Sequence, residues 1–127
     1  MTEISALILD DSSVMRKIVE RTLRQAGIPM KTVFEASSGA EGLDVLRREK
    51  VQLILSDINM PVMDGLEFLR NLREQRLAEG VPVVMITTES SEEHVRQAIT
   101  AGAQGYIRKP FTPDQVKQRV LPLINIA

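Results

Sequence analysis

The sequence contains no cysteine and no tryptophan, and aromatic residues make up only 3% of it. The lack of cysteine excludes disulfides, thiolate metal sites and thiol nucleophiles. No apolar run approaches the length needed to span a membrane. A signal peptide is also missing, because the short apolar stretch at residues 6–9 is followed directly by two aspartates. We therefore expect a soluble cytoplasmic protein.

A strong charge of either sign is missing as well. Charged residues make up 26% of the chain and the formal net charge is -1, so overall electrostatics favours neither nucleic acid nor a membrane surface as partner. His94 is the only histidine, which argues against a kinase or histidine phosphotransfer role. Low-complexity segments, long linkers and internal repeats are absent. The 127 residues suit one domain spanning 1–127.

The stretch 53–65 is the most informative part of what is present. An apolar run, short enough for a buried strand, ends abruptly on one carboxylate, Asp57. Pro61 and Gly65 then break regular structure, and Asp64 can cap the helix that follows. The stretch therefore predicts a strand, a loop and a helix, with a carboxylate where the strand meets solvent.

Five apolar strand patterns alternate with five amphipathic helix patterns. The strands are predicted over 5–9, 32–36, 53–57, 81–87 and 105–108. The predicted helix caps are Ser12 or Ser13, Ser38, Asp64, Ser90 and Thr112. In the last four helices a Glu or Gln three residues later completes a capping box. The alternation predicts an α/β, doubly wound (βα)5 domain, in which helices cover both faces of a parallel sheet.

The spacing of apolar residues also predicts the buried face and the end of each helix. The first helix should stop at Gly27 and the third near Gly80. The residues predicted to face inward are Met15, Ile18, Val19, Thr22, Leu23 and Ala26, then Leu43 and Leu46, then Leu66, Leu69 and Leu72, then Val95, Ala98 and Ile99, and finally Val116, Val120 and Ile124.

Four of the five predicted strands end on a polar or charged residue. Strand one ends in Asp10-Asp11, strand three in Asp57, strand four in Thr87 and strand five in Lys109. In an open α/β sheet the functional crevice lies beyond the carboxyl ends of the strands. Each of these residues alone could be a turn former, a cap or a surface lysine. Together on one edge, they favour a functional site.

The chemistry expected at this edge is phosphoryl transfer. If strands one and three are neighbours, three carboxylates converge and their repulsion must be compensated. Mg²⁺ would compensate it and keep several waters for an incoming phosphate. Lys109 would neutralise charge on a phosphoryl group, and the Thr87 hydroxyl could donate a hydrogen bond to it. Asp57 is the best candidate for a nucleophile that forms an aspartyl phosphate.

Four segments, residues 8–12, 55–65, 86–89 and 105–111, together resemble the receiver domain of two-component response regulators. The likeness spans the whole chain and is nearest in length and spacing to the stand-alone chemotaxis type. The resemblance implies a flavodoxin-like fold with the strand order 2-1-3-4-5. It also implies that Asp57 accepts phosphate from a histidine kinase, or from a small donor such as acetyl phosphate.

The resemblance further implies a metal site and a switch. Asp10 or Asp11, Asp57 and the backbone carbonyl of Asn59 would hold Mg²⁺.

Thr87 and Tyr106 would form the switch, in which the hydroxyl moves towards the phosphoryl group and the aromatic ring turns inward. Asn59 and Glu89 would tune the access of the hydrolytic water. The peptide bond between Lys109 and Pro110 would be cis.

The favoured function is therefore a phosphorylation-activated signalling switch in chemotaxis, monomeric and not an enzyme beyond its own phosphorylation and dephosphorylation. No output domain follows the fifth helix, so we expect output through a partner protein. That partner would bind the face of helix four, strand five and helix five, with the flagellar motor switch as one candidate. Arg108 and Glu92 depart from the motor-binding type, which leaves the downstream partner open.

Three alternatives are weighed against the switch. A phosphate carrier in a phosphorelay would have the same site and different partners. A haloacid-dehalogenase-like phosphatase would need a second aspartate where Asn59 stands, and a cap domain. A flavodoxin-like electron carrier would bind FMN, but Asp10-Asp11 would repel the FMN phosphate and no tryptophan is present to stack on the flavin.

Overall fold

The structure is a computed structural model that describes residues 3–88 and 92–124. Five strands alternate with five helices along the chain. The strands are β1 (Ile4–Leu9), β2 (Met30–Ala36), β3 (Leu53–Ser56), β4 (Val83–Thr87) and β5 (Gly105–Arg108). The helices are α1 (Ser13–Gln25), α2 (Gly39–Arg48), α3 (Gly65–Glu74), α4 (Glu92–Thr100) and α5 (Pro113–Ile124).

The strands form one parallel sheet, as the sequence pattern predicted, in the order β2-β1-β3-β4-β5, as the family resemblance implied. At the carboxyl edge Leu9 lies opposite Ala36 on β2 and Ser56 on β3. The residues that follow Leu9 and Ser56 are Asp10 and Asp57. The register of β1 and β3 therefore brings two acidic residues side by side, although they are 47 positions apart in sequence.

The core forms two layers, one on each face of the sheet. Leu7 and Leu9 of β1 point into the layer under α2, α3 and α4, whereas Ala6 and Ile8 point into the layer under α1 and α5. This alternation follows from the two-residue period of a strand. Helices change faces between β1 and β3, which makes that point of the carboxyl edge the expected place for a site.

Most of the predicted helix ends are confirmed. Ser12 accepts a hydrogen bond from the Met15 amide, and Ser38 accepts one from the Glu41 amide. The Asp64 carboxylate accepts from the Glu67 amide. The full reciprocal capping box is present only for Thr112 and Gln115, within the part of the chain that the structure describes. The predicted cap at Ser90 lies outside the described residues.

The predicted end of α3 was wrong. The helix ends at Glu74, and the chain then turns through left-handed conformations at Arg76, Ala78 and Gly80. The Leu77 amide donates to the Leu72 carbonyl and the Arg76 amide to the Arg73 carbonyl, which is the Schellman pattern. The left-handed position usually falls to glycine, as it does at Gly27 after α1. An arginine there gives no sequence signal for a helix end.

Two residues predicted to face inward are exposed. Ile18 on α1 keeps 41% of its surface exposed, and Ile99 on α4 keeps 47%. Each lies one position from a buried residue, Val19 or Ala98, and is rotated by about 100° around its helix. The buried stripe of each helix is therefore narrower than its apolar stripe. Within the described residues, no helix is both long and apolar enough to cross a bilayer.

Candidate functional site

The carboxylates of Asp10, Asp11 and Asp57 meet at the carboxyl edge of the sheet. One oxygen from each can be chosen so that all three lie within 4.8 Å of one another. Asp10 is buried, Asp57 is partly buried and Asp11 is exposed, so the cluster opens to solvent on one side. We call these three residues, together with Lys109, the acid pocket.

Lys109 reaches the acid pocket from the end of β5. Its Nζ lies 3.1 Å from Oδ2 of Asp10 and 3.4 Å from Oδ2 of Asp57. The Lys109 amide donates to the Thr87 carbonyl at 2.9 Å, and the following bond to Pro110 is cis, as predicted. One ammonium therefore contacts two of the three carboxylates, and the pocket keeps an excess of negative charge.

Asp57 is held by its backbone and one carboxylate oxygen. Its amide donates to the Leu9 carbonyl at 2.9 Å, and its Oδ1 accepts from the Ile58 amide at 2.8 Å. Burial raises the pKa of the Asp57 carboxyl above its ordinary value, the charge of Lys109 opposes this rise, and the nearby Asp10 adds to it. The pocket is thus an unfavourable place for a carboxylate unless a further cation binds there.

Hydrogen bonds restrain the amide, the carbonyl and the carboxylate of Asp10. Its amide donates to the Ala36 carbonyl at 3.0 Å, and its Oδ1 accepts from the Ser12 amide at 2.9 Å. Its carbonyl accepts a 2.6 Å hydrogen bond from Nη1 of Arg16, whose Nε bonds Glu35 at 2.8 Å. The sequence analysis missed Arg16 and Glu35. The sequence did contain a signal for this ion pair: Glu35 stands among the apolar residues at the end of β2, and a carboxylate placed there needs a cationic partner.

The loop between β3 and α3 depends on Gly65. Its amide donates to the Ile58 carbonyl at 2.7 Å, and a Cβ at this position would overlap the carbonyl oxygen of Asp57. Met60 and Met63 pack against the core beneath the loop. Asn59 is exposed in the same loop, and the role of its carbonyl as a metal ligand stays a prediction. Glu89 lies outside the described residues.

Thr87 and Tyr106 occupy two distinct environments. Thr87 is completely buried at the end of β4, whereas Tyr106 on β5 is half-buried. The Arg119 guanidinium carbon lies 5.7 Å from the centroid of the Tyr106 ring. A cavity of about 430 Å³ opens beside this pair, and its lining includes Arg108 but no carboxylate among the described residues. Of the two residues predicted to form the switch, Thr87 is therefore enclosed in the sheet and Tyr106 borders an open, cationic surface.

The donor set of the acid pocket fits a hard divalent cation. Carboxylate oxygens are the ligands that Mg²⁺ prefers, and the excess negative charge supplies the driving force for binding. Asp10, Asp11 and Asp57 are the side chains that would hold the ion. A bound Mg²⁺ supplies charge neutralisation for phosphoryl oxygens.

Comparisons with known proteins agree on the family. The family model described as the response regulator receiver domain matches residues 6–121. The chain is 41% identical over 115 residues to the chemotaxis protein CheY homolog of Campylobacter jejuni subsp. jejuni serotype O:23/36, a match that covers 90% of this chain and 87% of that protein. The structure of chemotaxis protein CheY4 from Vibrio cholerae is similar, with a TM-score of 0.84 and 34% identity over 96% of this chain and 99% of that one.

A third comparison bears on the fold alone. The receiver domain of the sensor histidine kinase PA1611 from Pseudomonas aeruginosa PAO1 has a TM-score of 0.84 and 24% identity, over 98% of this chain and 100% of that one. Its structure contains a magnesium ion coordinated in the active site cleft of that protein.

Proposed function

The chain belongs to the response regulator receiver domain family, and from this premise we propose that it is a switch phosphorylated on Asp57. Receiver domains take phosphate from histidine kinases and act on downstream targets, and they are signalling switches rather than classical enzymes. They bind Mg²⁺ at an acidic pocket. The main support for the proposal is that Asp57 lies beside Asp10, with Nζ of Lys109 3.4 Å from Oδ2 of Asp57 and 3.1 Å from Oδ2 of Asp10.

In the proposed reaction a carboxylate oxygen of Asp57 forms a bond to phosphorus. The bond from phosphorus to the donor, a phosphohistidine nitrogen or the acetate oxygen of acetyl phosphate, breaks and leaves its electron pair on the donor. Lys109 then exchanges part of its contact with the carboxylates for contact with phosphoryl oxygens. The reaction adds negative charge to the acid pocket, because a phosphoryl group carries more charge than the carboxylate it is attached to, so it depends on neutralisation by Lys109 and by a cation held by the carboxylates.

The proposed output passes from Thr87 to Tyr106 and then to a partner protein. We propose that the Thr87 hydroxyl approaches the phosphoryl group and that the Tyr106 ring follows it inward. Asn59 and Glu89 are proposed to set the rate of hydrolysis. The partner would bind the surface of α4, β5 and α5, where Arg108 and Arg119 favour an acidic segment. The similarity to chemotaxis proteins supports a role in chemotaxis, and the cytoplasmic location stays a prediction.

The experiment that tests Asp57 uses acetyl phosphate and Mg²⁺ followed by intact mass measurement. We expect one added phosphate on the native chain, stable in acid and labile in base, and none on Asp57→Asn. Asp64→Asn is the matched control, since Asp64 caps α3 in the same loop and should leave phosphorylation intact. Phosphate retained by Asp57→Asn would reject Asp57 as the acceptor.

A further inference from the structure

Arg16 forms hydrogen bonds both to the backbone of the acid pocket and to a glutamate on β2. It lies in the first turn of α1, and 16% of its side chain is exposed. Its Nη1 donates to the Asp10 carbonyl at 2.6 Å, and its Nε donates to Oε1 of Glu35 at 2.8 Å. One guanidinium thus binds a carbonyl just after β1 and a carboxylate on β2, and its planar fork of donors fixes the two acceptors relative to each other more rigidly than a flexible ammonium would.

The carbonyl that Arg16 contacts belongs to the peptide between Asp10 and Asp11. Both flanking carboxylates are in the acid pocket. The orientation of this peptide plane sets where the chain leaves β1, and hence where the Asp11 side chain can go. The other restraints act on Asp10 itself, through its amide and its Oδ1. Arg16 is the side chain that restrains the peptide joining the two residues.

Glu35 holds Arg16 in place. It lies on β2 opposite Ile8, and it accepts a second hydrogen bond at 2.9 Å from Lys17. Hydrogen bonds from Lys17 and Arg16 lower the pKa of the Glu35 carboxyl, so it stays ionised at neutral pH. Its negative charge offsets that of the guanidinium. The main effect of Arg16 on the pocket is therefore to hold the backbone of Asp10 in place, and its charge repels a bound cation only weakly.

We propose that Arg16, held by Glu35, is a positioning residue that shapes the acid pocket for a divalent cation by fixing the peptide between Asp10 and Asp11. The inference rests on the proposed function, since it assumes that the pocket binds Mg²⁺ for phosphorylation of Asp57. Outer partners that orient metal ligands commonly change metal affinity by about tenfold or more when removed.

The test is a calorimetric titration of the full chain with MgCl₂, without any phosphate donor. We expect Arg16→Gln to weaken Mg²⁺ binding by about tenfold. Arg16→Lys keeps the charge and loses the rigid fork of donors, so it should recover only part of the affinity. Glu35→Gln should weaken binding less than Arg16→Gln, because it loosens the guanidinium without removing it. The matched control is Arg24→Gln, which breaks an exposed ion pair with Glu20 on the same helix and should leave the affinity unchanged.

Phosphorylation by acetyl phosphate gives a second readout. Arg16→Gln should need about tenfold more Mg²⁺ for half-maximal rate, and its rate at saturating Mg²⁺ should approach that of the native chain. A general folding defect would lower the rate at every Mg²⁺ concentration.

The outcomes separate the inference from the proposed function. Native-like Mg²⁺ affinity in a folded Arg16→Gln would overturn the inference, as would an equal loss in Arg24→Gln. If Arg16→Gln does not fold, native-like affinity in both Arg16→Lys and Glu35→Gln would overturn it. If the native chain binds Mg²⁺ and takes no phosphate, the proposed function fails, and the affinity series still decides the role of Arg16.

Discussion

The acid pocket and the surface formed by α4 and β5, which we call the α4–β5 face, are built differently. The strands that lead into the acid pocket, β1 and β3, are buried along almost their whole length. On the α4–β5 face only Ala98 of α4 and Ile107 of β5 are buried, among the side chains that the structure describes. Asp10 and Asp57 thus follow strongly packed strands, whereas Tyr106 lies on the weakly packed α4–β5 face.

This difference has a physical reason. Phosphoryl transfer requires charged groups to be held in place before the reaction, and buried strands provide that rigidity. A switch requires two conformations of similar free energy, and segments with few buried contacts provide them. Because β4 alone lies between β3 and β5 in the sheet, a change at the carboxyl edge can reach the α4–β5 face over a short distance.

The largest difference between the two regions is expected from core truncation. Leu55→Ala on β3 should lower the free energy of unfolding by roughly 3 kcal/mol, because Leu55 is only 1% exposed and leaves a cavity. Ile99→Ala on α4 should change it by less than about 0.5 kcal/mol, since Ile99 is half exposed. Urea denaturation measures both, and equal losses would contradict the difference in packing.

A second pair of variants compares glycines. Gly65→Ala should destabilise the protein by about 2 kcal/mol, because the new methyl group would overlap the Asp57 backbone and meet the Met85 side chain. Gly105→Ala on β5 is the matched control: a Cβ there meets no atom within 4 Å, and the expected change is below about 0.5 kcal/mol. Gly65→Ala should also weaken Mg²⁺ binding, which titration would detect. A fully stable Gly65→Ala would show that the loop has room for a methyl group at this position.

The pH dependence of stability distinguishes Asp57 in the acid pocket from Glu35 on the partly buried strand β2. Burial raises the pKa of Asp57 in the folded state, so the folded chain binds this proton more tightly than the unfolded chain. The stability that comes from this tighter proton binding is present below the pKa of Asp57 in the unfolded chain, and it is lost as the pH rises through the pKa of Asp57 in the folded chain. Without Mg²⁺, Asp57→Asn should therefore be more stable than the native chain at pH 7, with the gain shrinking at acid pH.

Glu35→Gln should behave in the opposite way. Contacts with Lys17 and Arg16 lower the pKa of Glu35, so its contribution is present above the unfolded pKa and is lost as the pH falls through the folded pKa. The variant should be less stable at pH 7, and the difference should vanish in acid. Thermal melts in EDTA between pH 3 and pH 8 measure both variants. Parallel pH profiles for the two would refute the assigned shifts.

The smallest effect is expected at Tyr106. Arg119→Met removes the cation from the tyrosine ring and should cost about 0.5 kcal/mol of stability. Tyr106 is the only tyrosine and the chain has no tryptophan, so intrinsic fluorescence reports on this ring alone. We expect its intensity and its quenching by acrylamide to change. Lys117→Met on the same helix is the control. The same fluorescence in both variants would show that Arg119 does not influence the Tyr106 ring.

Much of the fold could be predicted because its signals are local. The capping residues Ser38, Asp64 and Thr112 and the stop at Gly27 act through hydrogen bonds to neighbours within a few positions. The end of α3 could not be predicted, because the left-handed position of its Schellman motif is occupied by Arg76 and not by a glycine. The exposure of Ile18 and Ile99 was missed because the elements packed on a helix decide how much of its apolar stripe is covered.

The sequence by itself determined which residues stand at the strand ends and that those strands alternate with helices. It did not determine that β1 and β3 are adjacent, because their apolar patterns would pair equally well with other strands; that order came from the family resemblance. Only the tertiary structure placed Lys109 between Asp10 and Asp57, and the guanidinium of Arg16 between Asp10 and Glu35. Local hydrogen bonds and periodicity are written in neighbouring residues, whereas contacts between distant segments depend on how the whole chain packs.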